Sequence, residues 1–306
     1  MISKFKYNSL TWIDLDRPTY DELKQIVTEW DIHPAVAQEL IAPSVRPKVE
    51  LYPNFIYLIL NFPVVEKKDS RRVAELQEID FVIGKNFIIT SRYGAVDSLH
   101  HFSKVFEVDS ILDKTQMDKH AGFVFFYMLK ALYQSVSQEL EAITGSINEI
   151  EEHIFKGKER AMVNRISEVG RELLGVRRAI SLHKEVLESF EVASQRFFGH
   201  EFIFHSRAIL GEYYKVRGSF ESNFEFLSEL RETNNSLLTT KQNEVMKTFT
   251  VMAFITFPLM LVTGIFTMHA KILPIFGDPI DFWVIILGMV LLVLLFLVIF
   301  KKKRLL

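Results

Sequence analysis

One run of residues could handle an ion without covalent chemistry. Asn243, Met246, Thr250, Ala253, Phe257, Met260, Gly264 and Thr267 recur at alternating three- and four-residue intervals, the spacing that gathers side chains on one face of a helix. A polar approach, Gln242-Asn243-Glu244, precedes this strip, and small residues occupy its far end. Such a strip would serve as the inner wall of a channel built from several identical helices. It would serve equally as the seam of an oligomer of simple membrane anchors. Pro258 lacks the N–H that would bond the Phe254 carbonyl, so a kink or a bare oxygen is expected there.

The remaining chemistry is narrowed by what the chain lacks. It has no cysteine, which excludes a disulfide framework, thiolate metal sites and a cysteine nucleophile. No P-loop, G-x-S-x-G, H-E-x-x-H or dinucleotide-binding glycine pattern occurs. His100-His101 and His200 with His205 could ligate metal, but histidines on amphipathic helices are ordinarily solvated. No enzyme and no covalently held cofactor is expected.

The elements that must position the strip follow from where the apolar residues lie. From Thr248 to Met268 run 21 residues without a charge, and from Phe282 to Phe300 another 19, each near the roughly 20 that cross a bilayer core. This predicts a membrane protein with two C-terminal spans. The N-terminus, MISKFKYNSLTW, has no apolar signal region, so a large N-terminal part is expected to stay where it is made. Lys241 and Lys247 precede the first span and Lys301-Lys-Lys-Arg304 follows the second. Both termini are therefore expected in the cytoplasm, with the chain in the cell's inner (plasma) membrane. Ahead of the spans the charges come to about −5, which argues against a nucleic-acid partner and suits attraction of cations.

Residues 1–119 read as a mixed α/β domain. Leu10–Leu15 alternates as a strand, Pro18 opens a helix through Trp30, and Phe55–Leu60, Ile79–Ile83 and Asn86–Thr90 are further strands, the last two joined by a Gly84-Lys85 turn. Residues 120–247 read as a helical bundle and stalk, with segments His120–Phe155, Lys158–Phe198 and Glu201 onward. Residues 248–268 form the first span, 269–281 an extracytoplasmic loop, 282–300 the second span and 301–306 a basic tail. If the last long segment runs unbroken from Glu201 to Met268, its 68 residues extend about 100 Å, too long for one chain to cover. It would then pack against copies of itself; a break near Gly211 or Gly218 is the alternative.

Several motifs carry a resemblance. Ile32-His-Pro-Ala-Val36, Arg46-Pro-Lys-Val-Glu50, Gly84-Lys-Asn-Phe-Ile-Ile-Thr90, Asn243-Glu-Val-Met-Lys247, Pro258 and the terminal Lys-Lys-Lys-Arg resemble, in this order, the CorA-type divalent cation transporters. The resemblance implies an α+β cytoplasmic domain, a long helical stalk and two terminal spans, assembled as a homopentameric funnel. It also implies passage of a divalent metal cation, magnesium first, through a pore lined by the first span.

The family's Gly-Met-Asn triplet at the outer end of that span reads here Thr267-Met268-His269. These three residues would form the entrance ring, with His269 and Asn243 the candidate metal-contacting positions. The acidic segment usual after the triplet is Ala270-Lys271-Ile272-Leu273-Pro274, a pore threonine is Met260, and Arg207-Ala208-Ile209-Leu210 replaces an aspartate of the family's intracellular magnesium-sensing contact. A ring of imidazoles favours zinc, cobalt or nickel over magnesium, and once protonated it repels cations. Phe257 and Met260 would narrow the path with apolar groups, which gate by excluding water. A non-conducting sensor or scaffold that keeps the family's shape is the competing expectation.

Overall fold

The computed structural model describes residues 1–44, 46–68, 71–94, 96–112, 120–267 and 279–302. The chain forms two compact units, Met1–Arg231 and Glu232–Leu306. The first is built on six strands, β1 (Ile2–Tyr7), β2 (Leu10–Asp16), β3 (Val49–Leu51), β4 (Ile56–Lys68), β5 (Arg71–Ile83) and β6 (Phe87–Arg92), in the order β1-β2-β6-β5-β4-β3. Only the central β2–β6 pair is parallel; the other pairings are antiparallel. The turn at Gly84 behaves as its sequence predicts: β5 and β6 are antiparallel neighbours, and the Gly84 amide donates to the Phe87 carbonyl at 2.8 Å.

Alternation along the strands gives the sheet two buried faces. Ile13, Leu15, Tyr57, Ile59, Val82 and Ile89 look toward α1 (Tyr20–Trp30) and α2 (Pro34–Glu39), whose Leu23, Ile26 and Val36 complete that core. Helix α1 starts where Thr19 and Glu22 form a reciprocal capping box. The opposite face carries Trp12, Phe62 and Phe81. Trp12 meets Phe102 and Phe106 of α3 (Asp97–Leu112) edge-on, and Phe81 meets Phe125 of α4 (Ala121–Phe155).

The structure departs from sequence expectation in several places. Strands β1 and β3 and helices α2 and α3 are additional, and β5 begins eight residues earlier than Ile79. The segment expected as one helix from Lys158 to Phe198 is two, α5 (Glu159–Ile180) and α6 (His183–Phe198), parted at Ser181-Leu182. No proline or glycine lies at this break. What lies there is His183, fully buried, with Nδ1 2.7 Å from the Tyr133 hydroxyl and Nε2 2.7 Å from the Asn61 carbonyl. Because a carbonyl only accepts, Nε2 carries the proton and Nδ1 accepts from Tyr133. The neutral ring thus joins β4, α4 and the start of α6.

After a short 3-10 turn at His200–Phe202, α7 (Ile203–Thr267) runs 65 residues without interruption, passing both Gly211 and Gly218 in helical conformation. The alternative of a break at these glycines is overturned. In the second unit α7 continues to Thr267 and is followed by α8 (Pro279–Lys302).

Burial pushes the His183 ring down to about 4 from the ordinary imidazole value of ~6.5. Between those values the unfolded chain takes up a proton that the folded chain refuses, so stability falls as pH drops from about 6.5 toward 4, by up to about 3 kcal/mol. His183→Gln removes this titration. Thermal unfolding of the full chain between pH 7 and pH 4.5 is expected to show a shallower acid loss in the variant than in the wild type.

Candidate functional site

Helices α7 and α8 are each long and apolar enough to cross a membrane. Hydrocarbon supplies no partner for a bare peptide group, so a spanning helix must satisfy its own backbone. Polar side chains in this stretch do the same. Thr250 donates to the Met246 carbonyl at 2.8 Å, Thr256 to Met252 at 3.0 Å and Thr263 to Met260 at 2.9 Å. With its proton spent on its own helix, each hydroxyl keeps oxygen lone pairs for other donors or for a cation. Helix α7 continues through Pro258, where the Phe254 carbonyl loses its usual amide donor.

The two helices of this unit cover one another on one side. On α7 the most covered residue is Val251, with Ile255, Pro258 and Val262 half-buried along the same side. Phe254 meets Phe300 of α8 with ring centroids 6.3 Å apart. On α8 the half-buried Ile285, Met289, Leu292, Val293, Phe296 and Phe300 recur at three- and four-residue spacing, the seam of a helix pair. Turning 100° per residue, the strip from Asn243 to Gly264 falls on the opposite side of α7. Asn243, Met246, Thr250 and Gly264 are exposed there, and Phe257 and Met260 are 69% and 72% exposed. Ala253 is half-buried.

Thr267 ends α7, and the described residues include its backbone only; Met268 and His269 lie outside the described residues, as does Lys271. The structure therefore brings Asn243, Met246, Thr250, Phe257, Met260 and Gly264 onto one exposed strip, with Ala253 half-buried among them. In the first unit, among the described residues, no group of three or more His, Asp or Glu is arranged to hold a metal ion. The His100 and His101 rings stand 6.4 Å apart, both exposed. His200 contacts Gln195 through a 2.7 Å hydrogen bond. His205 is not simply solvated: it is half-buried and packed against Phe123, Phe126 and Phe202.

A family model described as "CorA-like Mg2+ transporter protein" matches residues 7–302. The chain belongs to that family. Among its CorA relatives, the cobalt/magnesium transport protein CorA of Thermotoga maritima is 25% identical over 295 residues, covering 96% of this chain and 83% of that protein. The protein of the same name in Methanocaldococcus jannaschii is 20% identical over 299 residues, covering 98% of this chain and 92% of its own. The fold agrees as well. The complete structure of the CorA magnesium transporter from Methanocaldococcus jannaschii superposes with a TM-score of 0.82 at 20% identity, covering 96% of this chain and 90% of that one. Full-length CmaX gives 0.75 at 16% identity, covering 96% and 88%. The CorA-like architecture is thus an N-terminal α/β unit, a long helix and two C-terminal apolar helices, as the sequence resemblance implied. It is the architecture of a membrane transporter, not of an enzyme.

Pro258→Ala restores an amide donor to the Phe254 carbonyl and removes the ring clash. It is expected to stabilise α7, by about 1–3 kcal/mol, and to slow amide exchange over residues 254–262, read by hydrogen–deuterium exchange of the protein in lipid nanodiscs.

Proposed function

We propose that this chain passes a divalent metal cation across the cell's inner (plasma) membrane through a homopentameric pore lined by the strip Asn243, Met246, Thr250, Ala253, Phe257, Met260, Gly264 and Thr267. The observation that carries this reading is the side of α7 left uncovered by α8. In a bilayer that side meets either lipid tails or copies of itself, and a strip bearing an amide, a hydroxyl, a glycine and an alanine suits close helix approach and polar contact better than lipid. Membership of a family described as Mg2+ transporters, with relatives named for magnesium and cobalt transport, supports the cargo.

In this reading residues 1–119 and 120–247 are the cytoplasmic α/β domain and the bundle with its stalk, and 248–268 and 282–300 are the spans. Residues 269–281 form the outer loop and 301–306 a cytoplasmic basic tail. Asn243 holds the inner mouth and Thr267-Met268-His269 the outer ring. Magnesium keeps its water and prefers oxygen partners, so the carboxamide of Asn243 and the free lone pairs of Thr250 suit a hydrated ion. The imidazole of His269 tilts the entrance toward cobalt, nickel or zinc. Phe257 and Met260, being large and apolar, close the path when water leaves it.

The chain reconstituted in liposomes is expected to take up Mg2+ or Co2+, and to restore growth to cells lacking their own magnesium uptake. Phe257→Ser is expected to raise the leak severalfold. If neither wild type nor variant moves any divalent ion, the non-conducting reading, favoured by the apolar constriction and the altered triplet, replaces this one.

His269→Asn removes a titratable ring from the outer mouth. Wild-type uptake is expected to weaken as pH falls through the imidazole range, and the variant to lose that dependence. An unchanged pH profile removes His269 from the entrance.

A further inference from the structure

Two carboxyl groups in the first unit lie where no charge is expected. Glu78 and Asp80 are two residues apart on β5, hence on one face, the face covered by α2 and the segment that follows it. Asp80 is fully buried and Glu78 is 8% exposed. Standing side by side on one face of β5 and cut off from water, the two carboxyls cannot both be charged at low cost without a cation beside them.

The groups around the pair fasten the same segment to the sheet. The Ser44 amide donates to Glu78 Oε1 at 2.6 Å. The Tyr93 hydroxyl lies 3.1 Å from Asp80 Oδ2 and 2.9 Å from the Glu39 carbonyl at the end of α2. The Ser91 hydroxyl donates to the Leu40 carbonyl. Asp80 Oδ1 has no hydrogen-bond partner.

Among the described residues, no ion pair joins a cation to either carboxyl. From the covering segment Lys48 is committed to Glu39 and Glu50, each at 2.8 Å, and Arg46 is exposed. From α2 the nearest charge is Glu39, which adds repulsion to both carboxyls; His33 at its start acts on Glu50. From β4 comes the neutral Tyr57.

We propose that Glu78 and Asp80 share one proton that fastens the end of α2 and residues 40–44 to the sheet, and that loss of this proton releases the segment, making this corner a proton-responsive element. Asp80 is the donor and Glu78 the acceptor, so Glu78 receives both the Asp80 hydroxyl and the Ser44 amide. Removing the proton leaves two neighbouring anions beside Glu39. Buried charges of one sign demand water, and the cover that can yield is the loop segment rather than a strand.

The sign follows from environment. Burial first, and then the neighbouring Glu78 charge, push Asp80 well above its ordinary value; burial likewise raises Glu78. Groups raised by folding contribute stability at low pH that is lost as pH rises through their folded value. The segment is therefore tight in acid and loosens in alkali.

The test is hydrogen–deuterium exchange of the full chain in lipid nanodiscs from pH 6 to pH 9, corrected for base-catalysed intrinsic exchange. Protection of residues 40–44 is expected to fall up to tenfold per pH unit above the midpoint, while β2 stays unchanged. Asp80→Asn, whose amide still donates to Glu78 but does not titrate, is expected to flatten the profile. A flat wild-type profile, or an unaltered slope in Asp80→Asn, overturns the proposal. Should Asp80→Asn not fold, Glu78→Gln, which removes the neighbouring charge but leaves Asp80 to titrate, is expected to move the midpoint to lower pH, and an unmoved midpoint overturns the proposal. Infrared spectroscopy gives an independent readout: the carbonyl band of a protonated carboxyl is expected at neutral pH in the wild type, and its absence refutes the shared proton.

Discussion

The unbroken backbone ladder of α7 is the feature on which the rest depends. A helix that begins among the water-exposed elements of the first unit and ends in a stretch without charges must satisfy its peptide groups internally over its apolar part, because hydrocarbon offers neither donor nor acceptor. Its 65 residues do this, and Thr250, Thr256 and Thr263 turn their hydroxyl protons back onto their own helix. The exception is built in by Pro258, which leaves the Phe254 carbonyl without its usual donor. Pro258 itself falls between Phe257 and Met260 of the strip.

Helix α8 gives this ladder a direction around its axis. Two apolar helices in contact hide one side each; here α7 hides Val251, Ile255, Pro258 and Val262. The side that remains mixes the polar or small Asn243, Thr250 and Gly264 with the apolar Met246, Phe257 and Met260. Membership of the CorA-like family and the asymmetry of α7 are separate observations, one made on the whole chain and one on a single helix.

The first unit solves a different problem, that of polar groups under a two-faced core. Burial disfavours charge whatever its sign. Burial pushes the His183 ring down on one face of the sheet and the Asp80 carboxyl up on the other, each shift favouring the neutral form. Each neutral group then becomes a fastening point between elements distant in sequence: His183 ties α6 to β4, and the Glu78–Asp80 pair ties the segment after α2 to β5. The two titrate in opposite directions, so acid strains one face while alkali strains the other.

Local pattern made much of this legible. The alternation of Leu10–Leu15, the Gly84-Lys85 turn, the charge-free stretches and the strip at helical spacing are each properties of neighbours along the chain. Strand β1 escaped notice because an edge strand with Lys4 and Lys6 outward lacks the apolar run of a central one. The first half of β5, with Arg71, Arg72 and Glu75, lacks the apolar run of Ile79–Ile83, and only pairing with β4 recruits it. The α5–α6 break is not legible because no proline or glycine marks Ser181-Leu182, and the Asn61 carbonyl that His183 meets beside it lies 122 residues away. The residues alone thus determined the spans, the helical strip and the family, all of which depend on spacing and composition. Which side of α7 stays open, and which carboxyls lose their water, was decided only by tertiary packing, since burial belongs to the arrangement of surfaces and not to any residue in isolation.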